Sequence, residues 1–312
     1  MFDFLLLQAL CAVREHGTLA RAAEALHITA SAVSQRIAKL ERETGQAMVE
    51  RAGRGVRLTG AAMVLVAYGD RILSLVDEAE ATLDGHRGAV AGRLSVAGFS
   101  TAVRGLLPVA LGAMRERYPE LAVEVSELEP DAASVRVARG ELDVAIVQDW
   151  FNAPLELPAG LMKAPLLDDV VDVALPESHR LAGRAVLGVE ELAGEEWITW
   201  PVGAVCHGWL LQTFAEPRVV HTAAEHPTQL ALVAAGLGVC VLPRLGRDEL
   251  PPGVTVAAVR PVLSRHVYAV WRRDVARRPA IGAMVEELAA AADHGAAASG
   301  AAGYGAAIFE RN

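Results

Sequence analysis

The feature that most constrains this chain is a set of three short apolar stripes at helical spacing within its first 45 residues. Each stripe places apolar side chains at positions i, i+4 and i+7, and the breaks between the stripes are Gly17-Thr18 and His27–Thr29. A helix with one apolar stripe buries it against a partner, so three such helices this close together must pack on one another. The stripes are Leu6, Leu10 and Val13; Leu19, Ala23 and Leu26; and Val33, Ile37 and Leu40.

The third stripe lies in a segment whose opposite face is polar. At 100° per residue, Ser31 and Gln35 point away from Val33 and Ile37, with Ser34 beside them. A helix that reads the major groove of DNA presents short hydroxyl and amide groups near its N-terminus. The pattern therefore predicts a helix-turn-helix with residues 31–44 as the recognition helix. The alternative is that these polar side chains form only the solvated face of a surface helix.

A predicted wing follows this helix. Gly45 ends the helix, and residues 49–59, VERAGRGVRLT, contain two short β-prone segments around an Arg/Gly turn. Arginines of such a hairpin can lie along the phosphate backbone or in the adjacent minor groove, and the alternative is a solvated turn. Residues 1–58 are predicted to form one winged helix-turn-helix domain. Its predicted DNA-binding residues are Thr29, Ala30, Ser31, Ser34, Gln35, Lys39, Arg42, Arg51 and Arg54.

The charge distribution separates this segment from the rest of the chain. The whole chain has a formal net charge of −9. Residues 1–58 carry eight basic and six acidic side chains, a charge of +2, whereas the remainder carries 21 basic and 32 acidic side chains, a charge of −11. Such an asymmetry is typical of two functions in one chain, of which the first contacts a polyanion.

Residues 17–62 resemble the DNA-binding domain of LysR-type transcriptional regulators. The matching elements follow one another in fixed order over about 45 residues. The family often has glutamine where this chain has Ala30, and that glutamine commonly touches a base. The resemblance implies a DNA-binding regulator that recognises a double-stranded operator. The matching residues are Ala22-Ala23, Leu26, Ser31–Ser34, Ile37, Leu40-Glu41, Gly45, Arg51 and Leu58-Thr59.

A long helix is predicted over residues 59–86, with Thr59 as its N-cap. Its apolar positions alternate in steps of three and four, which is typical of a coiled-coil seam. The interpretation is a homodimerisation helix, and the resemblance implies a homodimer or homotetramer; the alternative is a helix packed against its own domain. Residues 87–92 are predicted as a hinge. The seam positions are Ala62, Leu65, Gly69, Ile72, Val76, Ala79 and Leu83.

Residues 93–292 alternate strand and helix signals, which predicts an α/β fold with mostly parallel sheets and two subdomains. The order resembles the effector-binding domain of the same regulators, whose architecture is that of type 2 periplasmic binding proteins. Matching pieces include residues 105–108, 140–143 and 232–243. Residues 293–312 are Ala/Gly-rich and predict a disordered tail.

A small organic effector is expected between the subdomains, at the carboxyl ends of strands and the helix starts that follow. Hydroxyl and backbone N–H groups at Ser100 and Thr101 suit a carboxylate or other anion, although a simple N-cap is the alternative for one of them. The aromatic side chains suit an apolar part of the effector or, alternatively, the core. By resemblance, the predicted effector-binding residues are Ser100, Thr101, Gln148, Trp200, Pro201, Val202 and His226.

The sequence speaks against several other classes. Cys11, Cys206 and Cys240 are far apart, so neither a zinc site nor a disulfide framework is expected, and a cytoplasmic protein is predicted. The N-terminus lacks a basic region, so no signal peptide is expected, and no apolar run is long enough for a membrane span. Without a P-loop, GxSxG or HExxH motif, no enzyme, cofactor or metal is predicted. The alternative function is a small-molecule binding protein without a DNA role.

Overall fold

The computed structural model describes residues 3–52, 55–85, 90–247 and 249–298. The chain divides into two compact units, of which unit 1 comprises residues 1–83 with 139–141 and unit 2 comprises residues 84–138 with 142–312. Within the described residues, no helix is both long and apolar enough to cross a bilayer. The same residues contain no group of three or more side chains arranged to hold a metal ion.

Unit 1 is a helical domain with a β-hairpin. The first three helices begin at side-chain caps, since Asp3, Thr18 and Thr29 each accept a hydrogen bond from a backbone N–H in the first turn. Gly17 and Gly45 end the first and third helices in left-handed conformations, which glycine adopts without steric cost. The elements are α1 (Phe4–His16), α2 (Leu19–Ala25), α3 (Ala30–Thr44), β1 (Val49–Ala52), β2 (Gly55–Leu58) and α4 (Gly60–Gly85).

The core of unit 1 is built from the predicted stripes. On α3 the buried side chains are Val33, Ile37 and Leu40, as predicted. Leu19 and Leu26 are partly buried against the same cluster. The long helix α4 begins where predicted, because the Thr59 hydroxyl oxygen accepts a hydrogen bond from the backbone N–H of residue 62 at 3.1 Å. The other fully buried members of this core include Leu6, Leu10, Val13, Ala22, Ala23, Met48, Ala62 and Val66.

The predicted coiled-coil seam of α4 is wrong in its first half. Ala62 and Gly69 are buried within unit 1 and Leu65 is partly buried there. A Cβ atom at Gly69 would stand 2.7 Å from the Cys11 sulfur, so α1 and α4 pack at close range. Side chains used in this core are not free for a second chain. The exposed apolar side chains of α4 are instead Met63, Val64, Tyr68, Ile72, Leu75 and Val76.

Unit 2 alternates strands and helices as predicted. Its elements are β3 (Gly92–Gly98), α5 (Ser100–Gly105), α6 (Leu107–Arg117), β4 (Leu121–Glu127), α7 (Pro130–Ala138), β5 (Val144–Trp150), β6 (Leu161–Pro176), β7 (Val186–Gly188), a 3-10 turn (Val189–Leu192), β8 (Glu196–Thr199), α8 (Val205–Thr213), β9 (Arg218–Thr222), α9 (His226–Ala234), β10 (Cys240–Pro243), β11 (Val254–Arg272) and α10 (Pro279–Ala298). The short helix α5 was not expected.

The main sheet of unit 2 is mixed rather than mostly parallel. Its order is β10-β6-β11-β5-β3-β4, with β7 beside β11. Strand β3 runs parallel to β4 and β5, but β11 runs antiparallel to β5 and β6. The expectation of parallel strands was wrong here because β6 and β11, of 16 and 19 residues, are long return strands. They pass between two hydrophobic cores, one around Leu94, Met114 and Met284 and one around Trp197 and Trp209.

Candidate DNA-contacting helix and effector cavities

Helix α3 presents one exposed polar face. All of its predicted base-contacting and phosphate-contacting side chains, together with its N-cap, are exposed in unit 1, while its apolar stripe is buried. The Thr29 hydroxyl oxygen accepts a hydrogen bond from the N–H of residue 32 at 3.1 Å, which fixes the first turn of the helix. The exposed residues are Thr29, Ala30, Ser31, Ser34, Gln35, Lys39 and Arg42.

The turn before α3 is tight and left-handed. His27 has φ +52°, which is uncommon for a residue other than glycine. The N–H of Ile28 donates to the carbonyl of Ala23 at 3.0 Å and closes the turn. Since α2 and α3 both pack on the common core, this turn fixes how the exposed face of α3 is presented.

The end of α3 is tied to the predicted wing by a residue that the sequence did not reveal. The Glu41 carboxylate accepts hydrogen bonds from the N–H groups of Met48 at 2.8 Å and Val49 at 3.4 Å. Met48 is fully buried and Val49 begins strand β1. The available signal was an acidic residue one turn before the terminal Gly45, a place where basic residues are usual.

The predicted wing basic residues have different surroundings. Arg57, on β2, forms an ion pair of 2.9 Å with Glu50, its cross-strand partner on β1. Arg51 lies in β1, but its side chain and the whole of Arg54 lie outside the described residues. On α3, Lys39 lies between two carboxylates, Asp3 at 3.6 Å and Glu43 at 3.8 Å.

Unit 2 contains two cavities near predicted effector residues. We call the larger, of about 210 Å³, the His226 cavity. The smaller, of about 130 Å³, is the Gln148 cavity. The His226 cavity is lined by Thr101, Arg104, His226, Pro227, Leu230, Leu242, Pro243, Leu245, Gly246, Arg247, Glu249 and Pro251. The Gln148 cavity is lined by Glu129, Pro130, Asp131, Gln148, Gly203, Ala204, Val205 and Cys206.

The predicted effector residues do not form one group. Thr101 and His226 line the larger cavity and Gln148 lines the smaller one. Trp200 is buried with its ring edge-on to His226, at 5.2 Å between ring centroids, and lines neither cavity. Ser100 is partly buried, whereas Pro201 and Val202 are exposed. These last three also lie outside both cavity linings.

Two details at the helix starts differ from the sequence expectations. The residue preceding α5 is Phe99, which makes no side-chain cap, so neither Ser100 nor Thr101 caps this helix. The Thr101 hydroxyl instead accepts a hydrogen bond from Arg265 at 2.6 Å. His226 is the first residue of α9 rather than a residue before it, because the helix begins two residues earlier than expected.

A buried arginine that the sequence analysis missed lies beside Thr101. Arg265 is 1% exposed and forms an ion pair of 2.7 Å with Asp169, which is 2% exposed. Its guanidinium also lies over the ring of Phe99, at 5.0 Å from the centroid. Arg265 and Asp169 are register partners on β11 and β6. A strand position alternating with buried Val267 was the signal, but its partner is 96 residues away in sequence.

The two cavities differ in their electrostatics. Burial, and then the charges of Arg265, Arg104 and Arg247, lower the pKa of His226 from 6.5 to about 3. In the Gln148 cavity the pKa of Glu129 is raised, first by burial and then by the carboxylates of Asp131 and Glu127. The surroundings of His226 therefore carry an excess of positive charge, and those of Glu129 an excess of negative charge.

Family models cover most of the chain. Residues 4–63 match the bacterial regulatory helix-turn-helix protein model of the LysR family, and residues 87–293 match the LysR substrate binding domain. A probable RuBisCO transcriptional regulator of Chlorokybus atmophyticus is 32% identical over 190 residues, which span 61% of this chain and 59% of that protein. The probable HTH-type transcriptional regulator LrrA of Synechococcus elongatus is 28% identical over 286 residues, or 90% of this chain and 95% of that one.

Solved structures share the fold over nearly the full length. A full-length OxyR point variant from Pseudomonas aeruginosa superimposes with a TM-score of 0.73 at 23% identity, covering 92% of this chain and 95% of that one. CbnR, a full-length structure complexed with its target DNA, gives a TM-score of 0.67 at 22% identity, covering 93% and 100%. The predicted resemblance and fold class are confirmed. The chain belongs to the LysR family of DNA-binding transcriptional regulators, which are not enzymes, and unit 2 contains the family's effector-binding domain.

Proposed function

We propose that this chain is a homo-oligomeric regulator that reads a specific operator sequence through α3 and responds to a small organic effector bound in unit 2. The observation that carries the proposal is the exposed polar face of α3 over its buried apolar stripe. A helix fixed in this way can enter the major groove without disturbing the core that holds it.

The residues of α3 divide into two roles. Ser31, Ser34 and Gln35, near the N-terminus of the helix, are proposed to contact base edges, and the amide of Gln35 suits the N6 and N7 atoms of adenine. The methyl group of Ala30 suits the C5-methyl group of thymine. Arg42, one turn from the C-terminal end, is proposed to contact phosphate.

Three further basic residues are proposed as phosphate contacts. Lys39 is held by two exposed ion pairs, and such pairs contribute only about 0–1 kcal/mol. A DNA phosphate can therefore replace either carboxylate at little cost. Arg51 and Arg54, of the predicted wing, are included from the sequence pattern alone. The modest charge of residues 1–58 implies that affinity for non-specific DNA is modest too.

The exposed apolar side chains of α4 support a homodimer or homotetramer. Val64, Tyr68 and Leu75 lie on one side of the helix and each is at least half exposed. A row of this kind is more apolar than a solvated helix face requires. Two α3 helices on one DNA also double the number of base contacts, which a single helix with about 1–3 kcal/mol per good contact needs for discrimination.

The effector is proposed to act from unit 2 by changing the population of its conformations. A ligand shifts such an equilibrium only by its differential affinity for the two states. The long strands β6 and β11 join the two halves of unit 2, so a ligand that contacts both halves can bias their arrangement. The three cysteines are buried free thiols, which supports the proposed cytoplasmic location.

The test is enrichment of binding sites from a random pool of DNA duplexes by the full-length protein. We expect a motif of two inverted half-sites, bound with an affinity that falls as salt concentration rises. Failure to enrich any motif, with equal binding to all duplexes, would contradict sequence-specific regulation and leave a small-molecule binding protein as the better description.

A further inference from the structure

We propose that the His226 cavity binds the carboxylate of a small organic monoanion with a compact apolar tail, and that the Gln148 cavity does not hold that charged group. This proposal rests on the proposed effector response and specifies the chemical class of the effector and the place of its charge. Four independent features of the described residues support it: an unpartnered imidazole, a charge balance, the opposite character of the other cavity, and an apolar wall.

His226 is the first feature. The side chain is 5% exposed and lines the cavity, yet neither ring nitrogen has a hydrogen-bond partner among the described residues. Buried polar atoms are paired in the great majority of cases. A neutral imidazole offers one N–H donor, and a carboxylate oxygen is an acceptor that matches it. The edge-on contact with Trp200 fixes the plane of the ring.

The charge balance is the second feature. Asp172 is shared by two arginines, since Arg244 contacts it at 2.9 Å and Arg247 at 2.8 Å. Asp169 neutralises Arg265, and Glu249 lies in the cavity wall. The groups on and directly behind this wall therefore have a formal excess of one positive charge, which one carboxylate would neutralise. The set comprises Arg104, Arg244, Arg247 and Arg265 against Asp169, Asp172 and Glu249.

The positive groups are held in place by the loop after β10. Arg104 donates to the carbonyl of Gly246 at 3.3 Å, and Arg247 donates to the carbonyl of Leu242 at 2.7 Å. Gly246 approaches α5 so closely that a Cβ atom there would stand 2.4 Å from the carbonyl oxygen of Thr101. The cavity wall is thus built by backbone contacts, and its guanidinium groups are preorganised for an anion.

The Gln148 cavity has the opposite character. Glu129 and Asp131 line it. The side-chain oxygen of Gln148 is buried there without a partner, while its nitrogen donates to the Cys206 sulfur at 3.4 Å. The unpaired atom is an acceptor, so the cavity calls for a donor. A carboxylate in this position would face two carboxylates and an amide oxygen, which is unfavourable.

The rest of the His226 cavity is apolar and small. Its volume of about 210 Å³ lies below the range of roughly 300–1,000 Å³ that is typical of drug-sized ligands. The cavity therefore suits a short aliphatic or single-ring tail. The apolar lining comprises Pro227, Leu230, Leu242, Pro243, Leu245 and Pro251.

The experiment titrates the full-length protein with butanoate and cyclohexanecarboxylate, using butanamide and cyclohexanecarboxamide as neutral counterparts and inorganic phosphate as a multivalent anion. Calorimetry and thermal shift are the readouts. We expect at least one carboxylate to bind at least tenfold more tightly than its amide and than phosphate. If neither carboxylate binds, or if phosphate or an amide binds as tightly, the proposal is overturned.

Two variants locate the site. His226→Leu should weaken carboxylate binding at least tenfold, whereas Gln148→Leu, the matched control in the other cavity, should leave it unchanged. The reverse pattern would overturn the proposal. Should His226→Leu fail to fold, the ring nitrogen chemical shifts of His226 in the native chain are followed on adding the carboxylate, and no change would count against the site.

The same protein preparation is tested for motif enrichment from random duplexes. Enrichment without carboxylate binding would sink the cavity proposal alone. Carboxylate binding without enrichment would leave the cavity proposal intact and contradict sequence-specific regulation.

Discussion

The DNA-contacting face of α3 and the wall of the His226 cavity are both polar surfaces backed by a hydrophobic core, but they are assembled in different ways. The α3 face lies on 15 consecutive residues, and helical geometry alone brings its side chains together. The cavity wall draws on residues from 101 to 251 in four separate segments. A local surface tolerates exchange of its exposed side chains, whereas an assembled one depends on buried polar contacts.

The largest expected effect is on the assembled site. Arg265→Ala would leave Asp169 buried without its ion-pair partner, and Thr101 without its donor. Breaking a buried pair from one side costs about 3–5 kcal/mol. Urea unfolding of the full-length protein should show this loss in the transition of unit 2. A matched control is Arg244→Ala, because Arg247 still holds Asp172, and we expect a much smaller loss.

The next effect contrasts buried and exposed residues of one helix. Ile37→Ala should lower the free energy of unfolding of unit 1 by about 2–5 kcal/mol, because it deletes a fully buried side chain. Ser34→Ala, on the exposed face, should stay within about 0.5 kcal/mol of the native value. Thermal unfolding of both variants gives the comparison. Equal losses would mean that the α3 face is not independent of its core.

The cavity should also make stability depend on pH. The pKa of His226 is about 3 in the folded chain and 6.5 as the reference value. Between these values the unfolded chain binds a proton that the folded chain does not, so stability falls as pH decreases from 6.5 towards 3. This group contributes about 1.4 kcal/mol per pH unit in that window. The slope of unfolding free energy against pH should be shallower in His226→Leu, and an unchanged slope would contradict the burial of a neutral imidazole.

The smallest effect concerns the start of α3. Thr29→Ala removes the hydroxyl that accepts the N–H of residue 32, at a cost of about 1 kcal/mol. Thr29→Ser keeps an oxygen acceptor and should retain most of the stability. A loss of the same size in both variants, measured by thermal unfolding, would show that the cap is not what the threonine supplies.

Most of unit 1 could be predicted because its information is local. Val33, Ile37 and Leu40 fall at helical spacing, and the structure buries these three on α3. Pattern alone could not assign α4, since its apolar residues lie on more than one face and the sequence does not say which face meets α1. Gly69 was placed in the seam although it lies against Cys11 in the core.

Unit 2 was predictable in its elements and not in its cavities. The strands and helices follow from alternating patterns, but the sheet directions at β6 and β11 depend on long-range pairing. Thr101 and His226 were named correctly as residues lining a cavity. Arg265 was missed because its partner Asp169 is on another strand. Pro201 and Val202 were carried over from the family pattern, yet they are exposed and line neither cavity.

The central claim is that α3 reads bases with Gln35 and contacts phosphate with Arg42, and one measurement tests it most directly. Fluorescence anisotropy gives the affinities of native, Gln35→Ala and Arg42→Ala proteins for an enriched duplex and a scrambled one at several salt concentrations. Gln35→Ala should lose about 1–3 kcal/mol on the enriched duplex and nothing on the scrambled one. Arg42→Ala should weaken both alike and flatten the salt dependence. Equal losses on both duplexes for Gln35→Ala, or no loss, would contradict the claim.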